Sequence, residues 1–462
     1  MTSTPARTAE AAPRSAVRRV ALASGIGNAI ELYDFIIYGL ASAIVFNQVF
    51  FVTEDPLVGT LIAFLTMGAG FLSRPLGGLV FGHFGDRLGR KSMLVITLTA
   101  TGVCTFLIGL VPATAEIGLA APFIVLALRL LQGFFMGGEQ GGAFVMVTEH
   151  APAGTKSFYG GWATGGSPLG SILGTLSFTL AASATGDAFL DWGWRLPFFA
   201  SAVLVLVGLY IRLRLDESPE FTALERTDST AAAPLVEVVR TAGMFVLAGI
   251  LLNMGFNLTI FIINTFSMAF GTEALGMERS TILTAGLIGS AVHLVTCLTA
   301  AYLGDRLGMT RVMGIGTVLL IAWAFPFFWF FSSATATGAT IAIVGGYAFA
   351  GIVWGPMAYW FTALFAPRFR YSGVSVSFQV GAVLGGGLSP SVSTWLLQIS
   401  DGATWPISVY LVIGGLLALI GLTMGRTRIA QMQRPAVGQA AEQPPALQSS
   451  AQQPSAHRPS AQ

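Results

Sequence analysis

A chain of 462 residues that is 54% hydrophobic, only 10% charged and +0.72 in mean hydropathy cannot be a water-soluble globule. Soluble domains average about 25% charged residues, and the charges here are too few to coat a core of that size. The net charge of +2 excludes little as a total; the placement of the charges says more.

The first residues are polar and carry Arg7 and Arg14, which predicts an N-terminal tail over 1–17. The apolar run that follows is too long for a signal-peptide core and no small-residue cleavage site follows it, so it is expected to stay as the first span. A membrane-crossing helix needs about 20 mainly apolar residues. Such runs occur at 20–48, 57–81, 92–111, 121–147, 158–185, 196–213, 240–270, 281–303, 311–332, 338–364, 372–399 and 405–425. The expectation is an all-α membrane protein of twelve transmembrane helices, with eleven or thirteen left open because a long run can hide a break. The polar stretch 214–238, with Asp216, Glu217, Glu220 and Asp228, reads as a linker between two six-helix halves, 18–213 and 239–428. From 429 to 462 the composition turns to Gln, Ala, Pro and Ser. That segment has too little apolar surface to fold, and a disordered tail is expected.

Counting sides alternately from a cytoplasmic N-terminus puts twenty of the 24 Lys and Arg on the cytoplasmic side. Arg195 and Arg279 fall outside it, and Arg74 and Arg129 fall within spans. Basic residues flanking spans stay in the cytoplasm, so both termini are expected there. Cys104 and Cys297 lie in separate apolar runs, which reads as two buried residues rather than a disulfide or a metal pair.

An internal repeat supports the two halves. Gly85-Asp86-Arg87-Leu88-Gly89 follows the second run, and Gly304-Asp305-Arg306-Leu307-Gly308 follows the eighth. Repeated halves in a membrane protein point to alternating access around a central site.

The segment from Gly82 to Lys91 resembles the loop 2–3 motif of the major facilitator superfamily, and Arg129-Leu130-Leu131-Gln132-Gly133 is similar to its span-four motif. A narrower resemblance is to the metabolite:proton symporter family. It is carried by Gly27 to Asp34 with Tyr38-Gly39, by Gly137-Gly138-Glu139, by Trp192 to Phe198, by Glu217 to Phe221 and by Gly385 to Pro390. Within that family, Ala41 to Phe51 and Phe81 to Lys91 look closest to the shikimate-transporter-like branch. The resemblance implies a major facilitator fold in a bacterial inner membrane and a carrier that acts as a monomer. It implies that Asp86, Arg87 and Arg90, within the Gly82–Gly89 motif, latch the cytoplasmic side, with Asp305 and Arg306 doing the same in the other half. The second repeat lacks the trailing Arg-Lys of the first, and no heptad-patterned tail of the kind found in family osmolyte carriers is present.

Ionisable groups in the bilayer core are costly and usually functional. Five fall within the expected spans: Glu31, Asp34, Arg74, Arg129 and Glu139. Glu31 and Asp34 share one face of a helix, with Asn28 and Tyr38 extending it. Two carboxylates that close resist joint ionisation in a dry cavity, which makes at least one of Asp34 and Glu31 a candidate proton carrier, with Glu139 a further candidate. Alternatively, both are permanently ionised and simply hold helices together. Depth along the helices suggests pairing Asp34 with Arg129, and Glu31 or Glu139 with Arg74. Arg129 could then release its partner for a substrate carboxylate. The second half offers neutral candidates instead: Asn253, Asn257 and Asn264 on one stripe of span seven, with Trp354 and Gln379. His293 reads equally as a packing residue or a proton site.

The leading expectation is proton-coupled import of a small organic acid, with the proton as coupling ion and no other cofactor. A proline- or betaine-type zwitterion importer, an exporter, or a receptor built on a transporter fold are the alternatives. With four His, two Cys and no phosphate-binding loop, the chain lacks the groups an enzyme would need. Basic residues scattered along membrane edges give nucleic acid nothing to bind. The expected partners are a small substrate and the lipid bilayer.

Overall fold

The structure, a computed structural model, describes residues 14–52, 56–227, 229 and 233–433. Its long helices follow one another through short turns, which sets neighbours antiparallel. The first half holds α1 (Arg14–Ile44), α2 (Pro56–Leu88), α3 (Arg90–Leu110), α4 (Ala120–His150), α5 (Lys156–Thr185) and α6 (Leu196–Leu213). The second holds α7 (Pro234–Phe261), which continues through π-helical turns at Ile262–Phe266 and Phe270–Ala274, then α8 (Arg279–Leu307) and α9 (Met309–Phe331). It ends with α10 (Ala336–Trp354, continued by Met357–Leu364), α11 (Arg370–Ala382, continued through a π-helical turn at Val383–Gly387 into Ser389–Ile399) and α12 (Trp405–Gln433).

Eleven helical segments among the described residues are long and apolar enough to cross a membrane. The twelfth expected position is occupied by α2, which has 33 residues but is not one of those eleven. The start of α1 and the end of α12 lie on one face, with the α2–α3 and α8–α9 turns; we call it the terminal face. Helix α1 begins inside the expected 1–17 tail. The expected linker contains a short helix, Pro219–Arg226, capped by Ser218, whose hydroxyl accepts the Phe221 N–H at 3.2 Å. The end of the chain, 434–462, lies outside the described residues, and so do residues 1–13.

Within the first half α1 packs on α5, α2 on α4 and α3 on α6; within the second α8 packs on α10, α7 on α12 and α9 on α10. The halves meet along two seams, α2 against α11 and α5 against α8. Lipid tails give helices no hydrophobic reason to associate, so close packing needs small residues at crossings. At the α2–α4 crossing a Cβ on Gly133 would strike the Gly70 carbonyl, and one on Gly137 the Arg74 carbonyl. Gly286 on α8 has nothing within 4 Å of its would-be Cβ. Overpacking typically costs about 1–3 kcal/mol. Gly137→Val should therefore lower the detergent melting temperature by several degrees while Gly286→Val leaves it unchanged; equal melting of the two variants would contradict this crossing.

Candidate functional site

The repeated five-residue segments do the same thing in both halves. Each ends in a glycine that breaks the helix at positive φ, +106° at Gly89 and +91° at Gly308. Each aspartate reaches across to cap a helix start in the other half. Asp86 accepts the backbone N–H groups of Tyr371 and Ser372, at 3.1 and 2.8 Å, at the start of α11. Asp305 accepts those of Ser157 and Phe158, at 2.9 and 2.8 Å, at the start of α5. A carboxylate there satisfies unpaired N–H groups and meets the positive end of the helix dipole. A Cβ on Gly85 would enter the Tyr371 ring and one on Gly82 would lie 2.9 Å from Ser372 Cα, so these glycines permit the approach.

Around this contact the terminal face is closed by a network of charges. Arg90 donates to the Pro367 carbonyl at 2.7 Å across the seam and lies 3.7 Å from Asp86 and 3.6 Å from Glu149. Arg370 donates to Glu149 at 2.8 Å and to Glu220 of the linker helix at 2.5 Å. Ser218 donates to Glu149, and Glu217 accepts the N–H groups of Arg90 and Lys91, each at 3.1 Å. The expected latch residues therefore divide. Asp86, Arg90 and Asp305 cross between halves, whereas Arg87 and Arg306 are exposed and form no ion pair among the described residues. Arg306 lies over the Tyr302 ring of its own helix at 4.3 Å. The physical reason is direction: Arg87 and Arg306 follow their aspartates on the helix and point away from the seam.

Deeper in the first half lie the buried charges. Glu31 accepts from Arg74 at 3.1 Å, and Arg74 also rests over the Phe71 ring at 4.4 Å. Glu139 does not pair with Arg74. Both its oxygens are taken by Arg212, with Nη1 donating at 3.0 Å, and by the Thr97 hydroxyl at 2.8 Å. Arg212 also donates to the Leu94 carbonyl at 2.7 Å. This bidentate clamp ties α3, α4 and α6 together and takes the place of the pairing with Arg74 that was open to Glu139. The sequence count missed Arg212 by placing it at the cytoplasmic end of its span; it is 2% exposed.

The expected direct pair of Asp34 with Arg129 is also corrected. Two neutral side chains connect them. The Thr105 hydroxyl donates to Asp34 Oδ2 at 2.7 Å, Gln132 Nε2 donates to Thr105 Oγ1 at 2.6 Å, and Arg129 donates to Gln132 Oε1. The Thr105 hydroxyl also lies 3.0 Å from the Thr101 carbonyl. It has one proton, so it gives it to Asp34 or to Thr101. Asp34 Oδ1 and Arg129 Nε have no partner, although both are buried. The Arg129 guanidinium lies over the Tyr38 ring at 3.9 Å, and the Tyr38 hydroxyl pairs with Thr66 at 2.8 Å. Gln132 could have been found from sequence, since it sits one helical turn after Arg129; Thr105 gave no such signal.

The neutral candidates scatter. Asn28 donates to the Ala163 carbonyl at 2.7 Å and holds α1 to α5. Asn253 donates to the Phe378 carbonyl at 2.6 Å and holds α7 to α11, with Asn257 donating to Asn253 at 2.9 Å. Asn264 faces α10, where it accepts from Tyr347. The single stripe expected for the three asparagines is broken by the π-helical turn at Ile262–Phe266, which holds Asn264 and changes the rotation of the helix there. Trp354 donates across the seam to the Thr164 carbonyl at 2.7 Å and stacks on Phe256 at 5.0 Å. Gln379 donates to the Gly137 carbonyl at 3.0 Å. These two side chains join the halves.

The comparisons with known proteins agree with this architecture. The family model described as Major Facilitator Superfamily matches residues 26–390. The chain belongs to the major facilitator superfamily. It is 39% identical to the shikimate transporter of Escherichia coli (strain K12) over 419 residues, 87% of this chain and 93% of that one. It is 34% identical to the proline/betaine transporter of the same strain over 444 residues, 91% of this chain and 85% of that one. Its fold matches that of the proton:xylose symporter XylE bound to 6-bromo-6-deoxy-D-glucose, with TM-score 0.71 and 16% identity over 91% of this chain and 95% of that one. The protein is a multi-pass membrane transporter and not an enzyme.

Losing a capping side chain typically costs about 0.5–2 kcal/mol. Asp86→Ala should accordingly shift this transporter toward opening on its terminal face. A cysteine introduced at Ser375, buried in the α2–α11 seam, should react with a polar maleimide several-fold faster in that background. An unchanged labelling rate would contradict the cap as a closing contact.

Proposed function

We propose that this transporter carries a small carboxylate metabolite together with a proton, by alternating access between two six-helix halves in a bacterial inner membrane. The observation that carries the reading is the buried chain Asp34–Thr105–Gln132–Arg129. A fixed ion pair would hold its two charges against each other. Here the carboxylate and the guanidinium are kept apart by neutral side chains, and each retains a buried atom without a partner. Arg129 remains a permanent cation with a planar donor array suited to a carboxylate. Asp34 can take or release a proton while Thr105 redirects its single hydroxyl proton. Substrate arrival at Arg129 would draw on Gln132, Gln132 on Thr105, and Thr105 on Asp34, so that binding and protonation change together. Glu31 with Arg74, one turn nearer the terminal face, forms a second tier of the same design.

The interhalf caps at Asp86 and Asp305 then act as gates, because they must break before the terminal face opens. Twelve spans with both ends in the cytoplasm fit the basic residues gathered on that face. Likeness to the shikimate transporter supports a carboxylate cargo. Likeness to the proline/betaine transporter favours a second reading, a zwitterion whose carboxylate would use the same Arg129.

The test is transport by the full chain in proteoliposomes with labelled shikimate, proline and betaine. Asp34→Asn should abolish accumulation driven by an inward proton gradient while leaving substrate counterflow in place. Gradient-driven accumulation at the wild-type level in that variant would falsify Asp34 as the proton carrier. Arg129→Lys keeps the charge but loses the planar array and should raise KM about tenfold or more.

A further inference from the structure

Opposite the charged chain, the second half holds a polar cluster that the transport reading leaves unused. His293 on α8 is 94% buried, at 6% exposure, and its Nε2 has no partner. Its ring lies against that of Tyr347 on α10, with centroids 5.4 Å apart. The Tyr347 hydroxyl donates to Asn264 Oδ1 on α7. The three residues thus come from three helices and fix one another in sequence. Asn264 is placed by the π-helical turn at Ile262–Phe266, whose Ile262 carbonyl accepts both the Ser267 backbone N–H and, at 3.0 Å, the Ser267 hydroxyl. Gly289 leaves room for the Tyr347 ring, and Gly346 lets Ile263 of α7 approach α10. Turns of this kind inside a helix often mark functional sites.

The cluster lies at the level of the charged chain. Asp34, Arg129, Asn264, His293 and Tyr347 are each about two and a half to four turns in from the ends of their helices opposite the terminal face. Tyr347 shares a helix face with Trp354, two turns on, whose indole crosses to the first half. The side of α10 that carries Tyr347 therefore looks toward the space between halves. Asn264 beside it is exposed. Among the described residues no acidic or basic side chain pairs with His293 or Tyr347.

We infer that His293 is a specificity-determining residue that reads the uncharged, hydroxyl-bearing end of the substrate, whose carboxylate is held by Arg129 in the other half. The inference rests on the carboxylate reading above and names the class: a small carboxylate carrying hydroxyl groups at its far end. A neutral imidazole nitrogen either donates or accepts one hydrogen bond. A hydroxyl answers either state, whereas a quaternary ammonium answers neither. A buried polar atom left without a partner by the wrong substrate makes a site selective, because the desolvation of that atom is then uncompensated. His293 is held in place by ring contact with Tyr347 and so is fixed before substrate arrives, which is what selectivity at an atom requires.

The experiment uses the full chain in proteoliposomes and compares KM for shikimate with KM for cyclohex-1-enecarboxylate, which lacks the hydroxyls. His293→Phe keeps the ring against Tyr347 and removes the nitrogens. It should raise KM for shikimate about tenfold and leave KM for the hydroxyl-free analogue within about twofold. His293→Gln, which restores a hydrogen-bonding group, should recover most of the discrimination. Equal losses for both compounds in folded, monodisperse His293→Phe, or no loss for shikimate, would overturn the assignment and leave a packing residue. Wild-type protein that transports both carboxylates with the same KM would overturn this assignment alone. Wild-type protein that transports no carboxylate under any gradient would overturn the carboxylate reading and this assignment with it.

Discussion

Everything in this transporter is arranged around the cost of a polar atom in hydrocarbon. Water is absent from the bilayer core, so each buried donor or acceptor must find its partner inside the protein. The chain from Asp34 through Thr105 and Gln132 to Arg129 meets that demand only in part: two charges are bridged without touching, and each keeps one buried atom without a partner. A direct buried pair would gain more Coulomb energy and would also be harder to break. Neutral spacers keep the pair adjustable. By contrast, Glu139 and Arg212 meet face to face, with every carboxylate oxygen occupied, and serve as a fixed clamp between α3, α4 and α6.

The same contrast separates the two ends of the molecule. At the terminal face, the partners of Asp86 and Asp305 are backbone N–H groups of the opposite half. Those groups can be handed to water when the face opens, because they lie at the membrane edge. In the middle of the membrane no such exchange is available, and only a substrate or a proton can change the pairing. In the proposed mechanism, closure at the edge by replaceable hydrogen bonds and coupling at the centre by irreplaceable ones is the division of labour that alternating access needs. The second half contributes hydrogen-bonding groups without charge, with His293 fixed by Tyr347 and Asn264.

Much of this architecture could be read from the residues in order. Spans announce themselves through runs of about 20 apolar residues, and the two copies of Gly-Asp-Arg-Leu-Gly announce the halves. Asp86 and Asp305 were legible because a repeated acid beside a helix start has few other uses. Pairing inside the membrane was harder, since it depends on how each helix is rotated and how deep its neighbour sits. Arg212 reads as an edge residue because it ends a span, yet its side chain is buried against Glu139 and the Leu94 carbonyl. Asn253, Asn257 and Asn264 share a stripe only if α7 keeps one period, and the π-helical turn breaks it. Thr105 carries no charge and sits in an apolar run, so nothing in its surroundings marks it as the link between Asp34 and Gln132. The tail beyond Gln433 lies outside the described residues.

The central claim is that cargo and proton move through one buried hydrogen-bonded chain. It is tested most directly by recording internal pH in proteoliposomes while labelled shikimate enters down its own gradient, with no proton gradient imposed. The account predicts acidification of the lumen in step with substrate entry, and loss of that acidification in Thr105→Val. Substrate entry with no movement of protons, in vesicles shown to hold a pH gradient, would contradict it.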